Sequence, residues 1–102
     1  MIYNKLVRDK IPRIISDDGR IAVTRVLSNN EFLAELDRKL NEECAEYQAD
    51  KSLEELADVL EVIYAIVETR GFTIAELERV RVEKAEKRGV FKDRIFLERV
   101  DD

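Results

Sequence analysis

The sequence contains no histidine, one cysteine, one proline and three glycines in 102 residues. Without histidine, the chain lacks the most common general base and the most common ligand of transition metals. The single cysteine, Cys44, cannot form an intrachain disulfide, so we expect a cytoplasmic protein. The glycines stand far apart, which excludes a glycine-rich phosphate-binding loop. Any chemistry must therefore depend on carboxylates, lysine, arginine, tyrosine or a bound metal.

Basic residues are also in the minority, with 18 Lys and Arg against 23 Asp and Glu and a net charge of −5. This balance argues against a nucleic-acid partner, because a nucleic-acid groove usually needs a basic face. No apolar run approaches the roughly 18 residues that span a bilayer, so no membrane partner is expected. The content of hydrophobic residues, 45 %, predicts a globular and mainly helical protein. The length suits one domain over residues 1–102.

Three Ser/Thr-x-x-Glu motifs have the form of capping boxes, which mark helix N-termini. A shorter helix is predicted to begin near Pro12 and to end before Gly19. The three long helices are predicted to run from Ser28 to about Gln48, from Ser52 to about Arg70, and from Thr73 to about Arg88.

The segments outside the helices are rich in β-branched and aromatic residues. Residues 21–27 predict a short strand, and residues 90–100 are expected to be extended and to pair with it. The fold class predicted from these patterns is all-α. We expect an antiparallel helical bundle with short non-helical or strand-like segments at the N- and C-terminal ends.

The second long helix carries carboxylates inside an unusually wide apolar arc. With Leu53 set at zero on a helical wheel, Val62 falls at about 180° and Glu55 at about 200°. Asp58 falls at about 140°, just outside Val62. An arc this wide predicts contact with more than one neighbour, including a second subunit. A homodimer or homotetramer is therefore expected.

The first long helix places acidic residues in a similar way. Glu43 lies seven residues after Leu36, where the next core residue belongs, and Glu46 follows one turn later. Each helix thus offers two carboxylates on one face, and buried carboxylates that converge without a cation repel one another. We therefore predict a divalent metal site with four oxygen ligands, Glu43, Glu46, Glu55 and Asp58. Oxygen ligands favour Mg²⁺, with Mn²⁺ next.

A local role for these carboxylates competes with the metal hypothesis. Glu-x-x-Asp pairs arise by chance in an acidic sequence, and Glu55 is also the expected reciprocal partner of Ser52 in its capping box. Glu55 cannot fully serve both roles. The destination of its side chain therefore distinguishes the two interpretations.

Glu42-Glu43-x-x-Glu46 followed by Glu55-x-x-Asp58 resembles the signature of the all-α NTP pyrophosphohydrolase superfamily. That superfamily includes MazG-type enzymes, dimeric dUTPases and phosphoribosyl-ATP pyrophosphohydrolases. YNKLVRDKIP at the start and EKRGVFKDRIFL near the end look like the small MazG-like or phosphoribosyl-ATP-pyrophosphohydrolase-like subgroup. The resemblance covers nearly the whole chain. It departs in the link between Glu46 and Glu55, which is shorter than is usual in the family.

The resemblance implies a Mg²⁺-dependent enzyme that cleaves a nucleoside triphosphate to the monophosphate and pyrophosphate, within a helical homodimer or homotetramer. It assigns the metal to Glu43, Glu46, Glu55 and Asp58. Glu42 and Glu43 would be the catalytic residues, and Glu42 would either support the metal ligands from outside or act as a base for the attacking water. A triphosphate also needs cations beyond the metal. The candidates for substrate binding are Lys5, Arg8, Lys84, Arg88 and Arg94.

Two other functions compete with this expectation. In the first, the chain is a non-catalytic module that binds a metal or a nucleotide. In the second, it is a structural oligomerisation module with acidic surface helices. Release of pyrophosphate from a nucleoside triphosphate distinguishes the enzyme from both alternatives.

Overall fold

The computed structural model describes all 102 residues and contains helices as its only regular secondary structure. The four helices are α1, Ile11–Asp17; α2, Asn29–Ala49; α3, Leu53–Thr69; and α4, Ile74–Arg88. The all-α prediction is confirmed, and each long helix begins one residue after its predicted cap. No helix is both long enough and apolar enough to cross a membrane.

Side-chain caps fix where the long helices begin. Ser28, Ser52 and Thr73 each accept a hydrogen bond from the backbone N–H three residues later. This bond satisfies one of the donors that a helix N-terminus leaves free. Gly71, with φ of 91°, follows the end of α3 and turns the chain towards α4, because glycine adopts positive φ without steric cost.

The centre of the fold is the hairpin of α2 and α3, which pack along each other across the link at residues 50–52. A link this short makes neighbouring helices antiparallel. Leu36 of α2 is the most buried residue, with 2 % of its surface exposed, and Val62 of α3 is the next. Helix α4 contacts α3 alone, and α1 contacts no other helix.

The prediction of paired strands is wrong. Residues 20–28 and 89–102 contain no strand, and no backbone hydrogen bond joins the two segments. A strand requires a neighbour for its N–H and C=O groups, and neither segment lies beside one within the chain. These segments of high β-propensity are therefore non-helical, which agrees with the expectation of non-helical or strand-like segments, but they are not strands.

The chain is elongated, with principal extents of 64 × 31 × 23 Å. Its radius of gyration is 18.3 Å, whereas a compact chain of this length has a value of about 13 Å. Only two residues, Leu36 and Val62, are buried. One chain therefore encloses a small core around the α2–α3 hairpin and leaves most other apolar side chains in contact with solvent.

Candidate metal centre

Three predicted ligands meet near the end of the α2–α3 hairpin where the link joins the two helices. Glu43 lies in the last two turns of α2, and Glu55 and Asp58 lie in the first two turns of α3. Carboxylate oxygens from the three side chains lie within 4.8 Å of one another. The short link between the helices brings these turns together. The three residues, here called the acidic cluster, could hold a metal ion.

Partial burial distinguishes the acidic cluster from carboxylates on an open surface. All three residues are half-buried, and the Glu43 side chain is only 13 % exposed. Every oxygen of the cluster belongs to a carboxylate, which suits a hard divalent cation and does not suit a soft one. The donor chemistry therefore fits the kind of metal that the sequence predicted.

The capping interactions show where the Glu55 carboxylate goes. Glu31 and Glu76 return to the backbone N–H of their caps and complete both halves of the capping box. At α3, Ser52 accepts from the Glu55 N–H at 3.3 Å, but the Glu55 carboxylate does not return the bond. The side chain joins the acidic cluster instead. Of the two competing roles for Glu55, the local one is absent.

The electrostatics of Glu55 reflect this position. Burial is the main cause that raises the pKa of Glu55 above its ordinary value, and the negative charge of Asp58 is the second. Further negative charges raise it in the same direction, from Glu46, Asp50 and Glu43. A carboxyl group with this pKa shift is destabilised as an anion, and a bound cation would relieve that destabilisation.

Glu46, the fourth predicted ligand, is not in the acidic cluster. It is exposed on α2, although it is near enough to raise the pKa of Glu55. Asp50, which the sequence reasoning missed, contributes in the same way from the C-terminal cap of α2. The available signal was its position directly before the second long helix, in the short link that brings it near Glu55.

Two cations lie against the acidic cluster. Arg8 donates a hydrogen bond from Nη2 to Oδ1 of Asp58 at 2.6 Å, although 50 residues separate them in the sequence. Lys39 Nζ lies 3.3 Å from Glu43 Oε1, and the Lys39 side chain is 18 % exposed. Sequence reasoning missed Lys39, for which the signal was its i, i+4 spacing to Glu43.

Glu42, the predicted base, lies beside the cluster and is paired with lysines. Lys39 donates to Glu42 Oε1 at 3.4 Å, and Lys5 Nζ lies 4.0 Å from the same oxygen. Lys5 and Arg8, predicted to bind phosphates, thus contact carboxylates in this structure. The N-terminal segment lies across the acidic cluster as a result.

The remaining predicted substrate residues are in another part of the molecule. Lys84 and Arg88 are exposed on α4, and Arg94 is exposed in the C-terminal segment. None of them has a carboxylate partner within the chain. No ion pair joins any of these three cations to the acidic cluster, which pairs with Arg8 and Lys39.

A comparison with curated proteins finds one similar stretch. An uncharacterised protein of Mycolicibacterium smegmatis (strain ATCC 700084 / mc(2)155) is 53 % identical over 45 residues. That stretch covers 44 % of this chain and 46 % of the relative, so the match spans less than half of either protein. No family model matches the chain. No solved structure matches it.

Proposed function

We propose that this chain is a Mg²⁺-dependent nucleoside triphosphate pyrophosphohydrolase of the MazG-like type, which acts as a homo-oligomer. The observation that carries the proposal is the meeting of Glu43, Glu55 and Asp58 across the hairpin, with Glu55 withdrawn from its capping box. Acidic residues placed only for solubility would not be half-buried against one another. The sequence motifs that resemble the family include the same three residues.

In this proposal the acidic cluster holds Mg²⁺, and Mn²⁺ is the second candidate. When bound, the metal supplies positive charge that neutralises the triphosphate oxygens. Glu43, Glu55 and Asp58 are the ligands. Glu46, exposed one turn from Glu43, is the fourth predicted ligand and lies at the edge of the site.

Glu42 accepts the proton of the attacking water in the proposed reaction. Water forms a new P–O bond at a phosphorus of the α–β bridge, and the bridging P–O bond breaks. The products are a nucleoside monophosphate and pyrophosphate. The Glu42 side chain is 38 % exposed and so can exchange its proton with solvent. The exposed cations Lys84, Arg88 and Arg94 are the proposed phosphate contacts, along with Lys5 and Arg8.

The ion pairs at the cluster favour one alternative, a non-catalytic module. Arg8 on Asp58 and Lys39 on Glu43 neutralise part of the negative charge without any metal. In that case the carboxylates would hold the N-terminal segment in place and would serve the fold alone.

Product analysis distinguishes the two functions. The full chain is incubated with each nucleoside triphosphate and Mg²⁺, and pyrophosphate, inorganic phosphate and monophosphate are measured. The proposal expects pyrophosphate and monophosphate in equal amounts, with activity lost in Asp58→Asn. Glu61→Gln, on an exposed position of α3 outside the acidic cluster, is the matched control and should keep its activity. The enzyme hypothesis would be rejected if Asp58→Asn kept its activity, or if the unmodified protein had none.

A further inference from the structure

Lys39 is the least exposed cation in any ion pair of the chain. Its side chain is 18 % exposed, whereas every other lysine or arginine in an ion pair is at least 46 % exposed. Removing a lysine side chain from solvent loses hydration of its charge and freedom of its rotamers. The position of Lys39 therefore calls for an explanation other than solubility.

The Lys39 ammonium is shared by two adjacent glutamates. Its Nζ lies 3.4 Å from Glu42 Oε1 and 3.3 Å from Glu43 Oε1. A pair with lysine at i and glutamate at i+4 stabilises a helix less than the reverse order does. Helix stability alone therefore does not account for the contact between Lys39 and Glu43.

The two glutamates differ in their other neighbours. Glu43 belongs to the acidic cluster, where its neighbours are the carboxylates of Glu55 and Asp58. Glu42 lies outside the cluster, and its other neighbour is Lys5, at 4.0 Å. Lys39 thus lies on the boundary between a glutamate that faces carboxylates and a glutamate that faces lysines.

Lys39 also differs from Arg8, the other cation at the cluster. Arg8 is 58 % exposed and reaches Asp58 from a segment without regular secondary structure, so a metal ion can displace it. Lys39 is on α2 itself, one turn before Glu43, and the helix keeps it there whether or not a metal is bound. Its charge is therefore a constant part of the site.

The charges at the site suit one divalent cation. With Arg8 displaced, one such cation and the Lys39 ammonium together match the three negative charges of the acidic cluster. Glu46 and Asp50 are exposed, so solvent and salt screen their charges. A second divalent cation beside Glu43 would be repelled at short range by Lys39.

We propose that Lys39 is a positioning residue that limits the acidic cluster to one divalent cation and keeps Glu42 off that cation. Glu43, Glu55 and Asp58 hold the ion, and Lys39 supplies the positive charge between the two adjacent glutamates. Glu42 then stays free of metal, as a base for water must. The inference rests on the metal site of the proposed function, and it adds the number of ions and the reason that Glu42 and Glu43 differ in role.

A count of bound ions tests the inference. Mn²⁺ is titrated into the full, metal-free chain without nucleotide, and free Mn²⁺ is measured by electron paramagnetic resonance. The unmodified protein should bind one Mn²⁺ per chain. Lys39→Met keeps the apolar stem of the side chain, removes its charge and should bind two. Lys87→Met, at an exposed lysine of α4, is the matched control and should bind one.

Three further variants assign the second ion to Glu42. Lys39→Arg restores a positive charge and should bind one Mn²⁺. Lys39→Met combined with Glu42→Gln should also return to one, because the carboxylate that recruits the second ion is gone. Glu42→Gln alone should bind one Mn²⁺ with unchanged affinity. Helix content measured by circular dichroism checks that each variant is folded.

Four results would overturn the inference. They are a single ion in folded Lys39→Met, two ions or none in the unmodified protein, two ions in Lys39→Arg, and loss of Mn²⁺ from Glu42→Gln. The last two results and the count for the unmodified protein decide the matter even if Lys39→Met does not fold. An active enzyme whose ion count is unchanged in Lys39→Met would reject this inference alone. A protein that gains an ion in Lys39→Met but releases no pyrophosphate would reject the proposed function alone.

Discussion

Arg8 lies where a cation bound by Asp58 would also lie, which makes it a competitor for the acidic cluster. The Arg8–Asp58 pair is short, at 2.6 Å, but the Arg8 side chain is 58 % exposed. Exposed ion pairs contribute little, so the pair should yield to a divalent cation at a modest cost. We predict that Arg8→Gln binds Mg²⁺ or Mn²⁺ about two- to five-fold more tightly, as measured by titration calorimetry.

The direction of this effect separates competition from support. If Arg8 positioned Asp58 for the metal, Arg8→Gln would bind more weakly. Lys10→Gln removes the same charge two residues away, at a side chain with no carboxylate partner, and should leave the affinity close to that of the unmodified protein. Equal gains in metal affinity in both variants would show that the change in net charge causes the effect and that the loss of the Arg8–Asp58 pair does not.

Glu55 makes the stability of the metal-free protein depend on pH. Its pKa in the folded protein is raised above 4.5, the ordinary value, so the folded state binds more protons than the unfolded state in this range. The contribution of Glu55 to stability should therefore be fully present below the ordinary pKa and be lost as the pH rises through the raised pKa. We predict that Glu55→Gln lessens this decline, with a higher melting temperature than the unmodified protein near neutral pH.

The comparison is made on metal-free protein, from about pH 4 to about pH 8. Glu61→Gln serves as the control, because Glu61 is on the same helix but outside the acidic cluster. Identical pH profiles for Glu55→Gln and Glu61→Gln would mean that removal of the Glu55 charge does not stabilise the folded protein.

Helical periodicity predicted that four carboxylates lie together, and three of them do. The prediction succeeded for these three because it needs only the local spacing within each helix. It did not predict Arg8 beside Asp58. That contact joins positions 50 residues apart through the path of the N-terminal segment, which has no regular secondary structure to fix its direction. Periodicity also could not show how far Glu46 turns away from the cluster, since a position at the edge of the apolar arc can face either the neighbouring helix or solvent.

At the scale of the helix, the three Ser/Thr-x-x-Glu motifs are the same in sequence and differ in structure. Two are complete capping boxes, and the one at α3 is half open. The caps were predictable since they depend on residues three apart. The open box was not, because the position of the Glu55 carboxylate beside Glu43 depends on how α3 packs against α2.

This difference predicts opposite results for the same substitution in two helices. Glu76→Ala should lower the melting temperature of the metal-free protein, because Glu76 completes the cap of α4. Glu55→Ala should leave it unchanged or raise it, because Glu55 makes no return bond and is repelled by its neighbours. Thr73→Ala calibrates the scale, with an expected cost of about 1 kcal/mol for the loss of an N-cap. A similar loss in Glu55→Ala would indicate a capping role that the structure does not show.

The segment at residues 20–28 shows the limit of propensity. Ile21, Val23 and Val26 are at least 89 % exposed, so the β-branched residues neither pair nor pack within the chain. A propensity describes what a residue does on a half-buried sheet surface, and no such surface exists here. Propensity alone could not predict whether a neighbouring strand would be present, and this chain does not supply one.

At the scale of the whole molecule, the packing of α2 on α3 gives α3 two different sides. One side of α3 faces α2 and the acidic cluster, and the other carries the exposed side chains of Leu53, Leu56 and Leu60. The wide apolar arc seen in the sequence is the sum of these two sides. Substitutions of the exposed leucines should therefore leave the acidic cluster intact.

Mg²⁺ should stabilise the whole molecule, because a cation that binds only the folded state shifts the folding equilibrium by mass action. At a concentration of about 100 times the dissociation constant, the gain is about 2.7 kcal/mol. We predict a rise in melting temperature for the unmodified protein at millimolar Mg²⁺ and no rise for Asp58→Asn, measured by thermal unfolding. Leu60→Gln, on the side of α3 that α2 does not cover, should start from a lower melting temperature yet keep the Mg²⁺-dependent rise, because Leu60 lies away from the acidic cluster. The absence of any rise in the unmodified protein with either Mg²⁺ or Mn²⁺ would contradict the metal site. In that case Arg8 and Lys39 would be the only counter-charges that these carboxylates have.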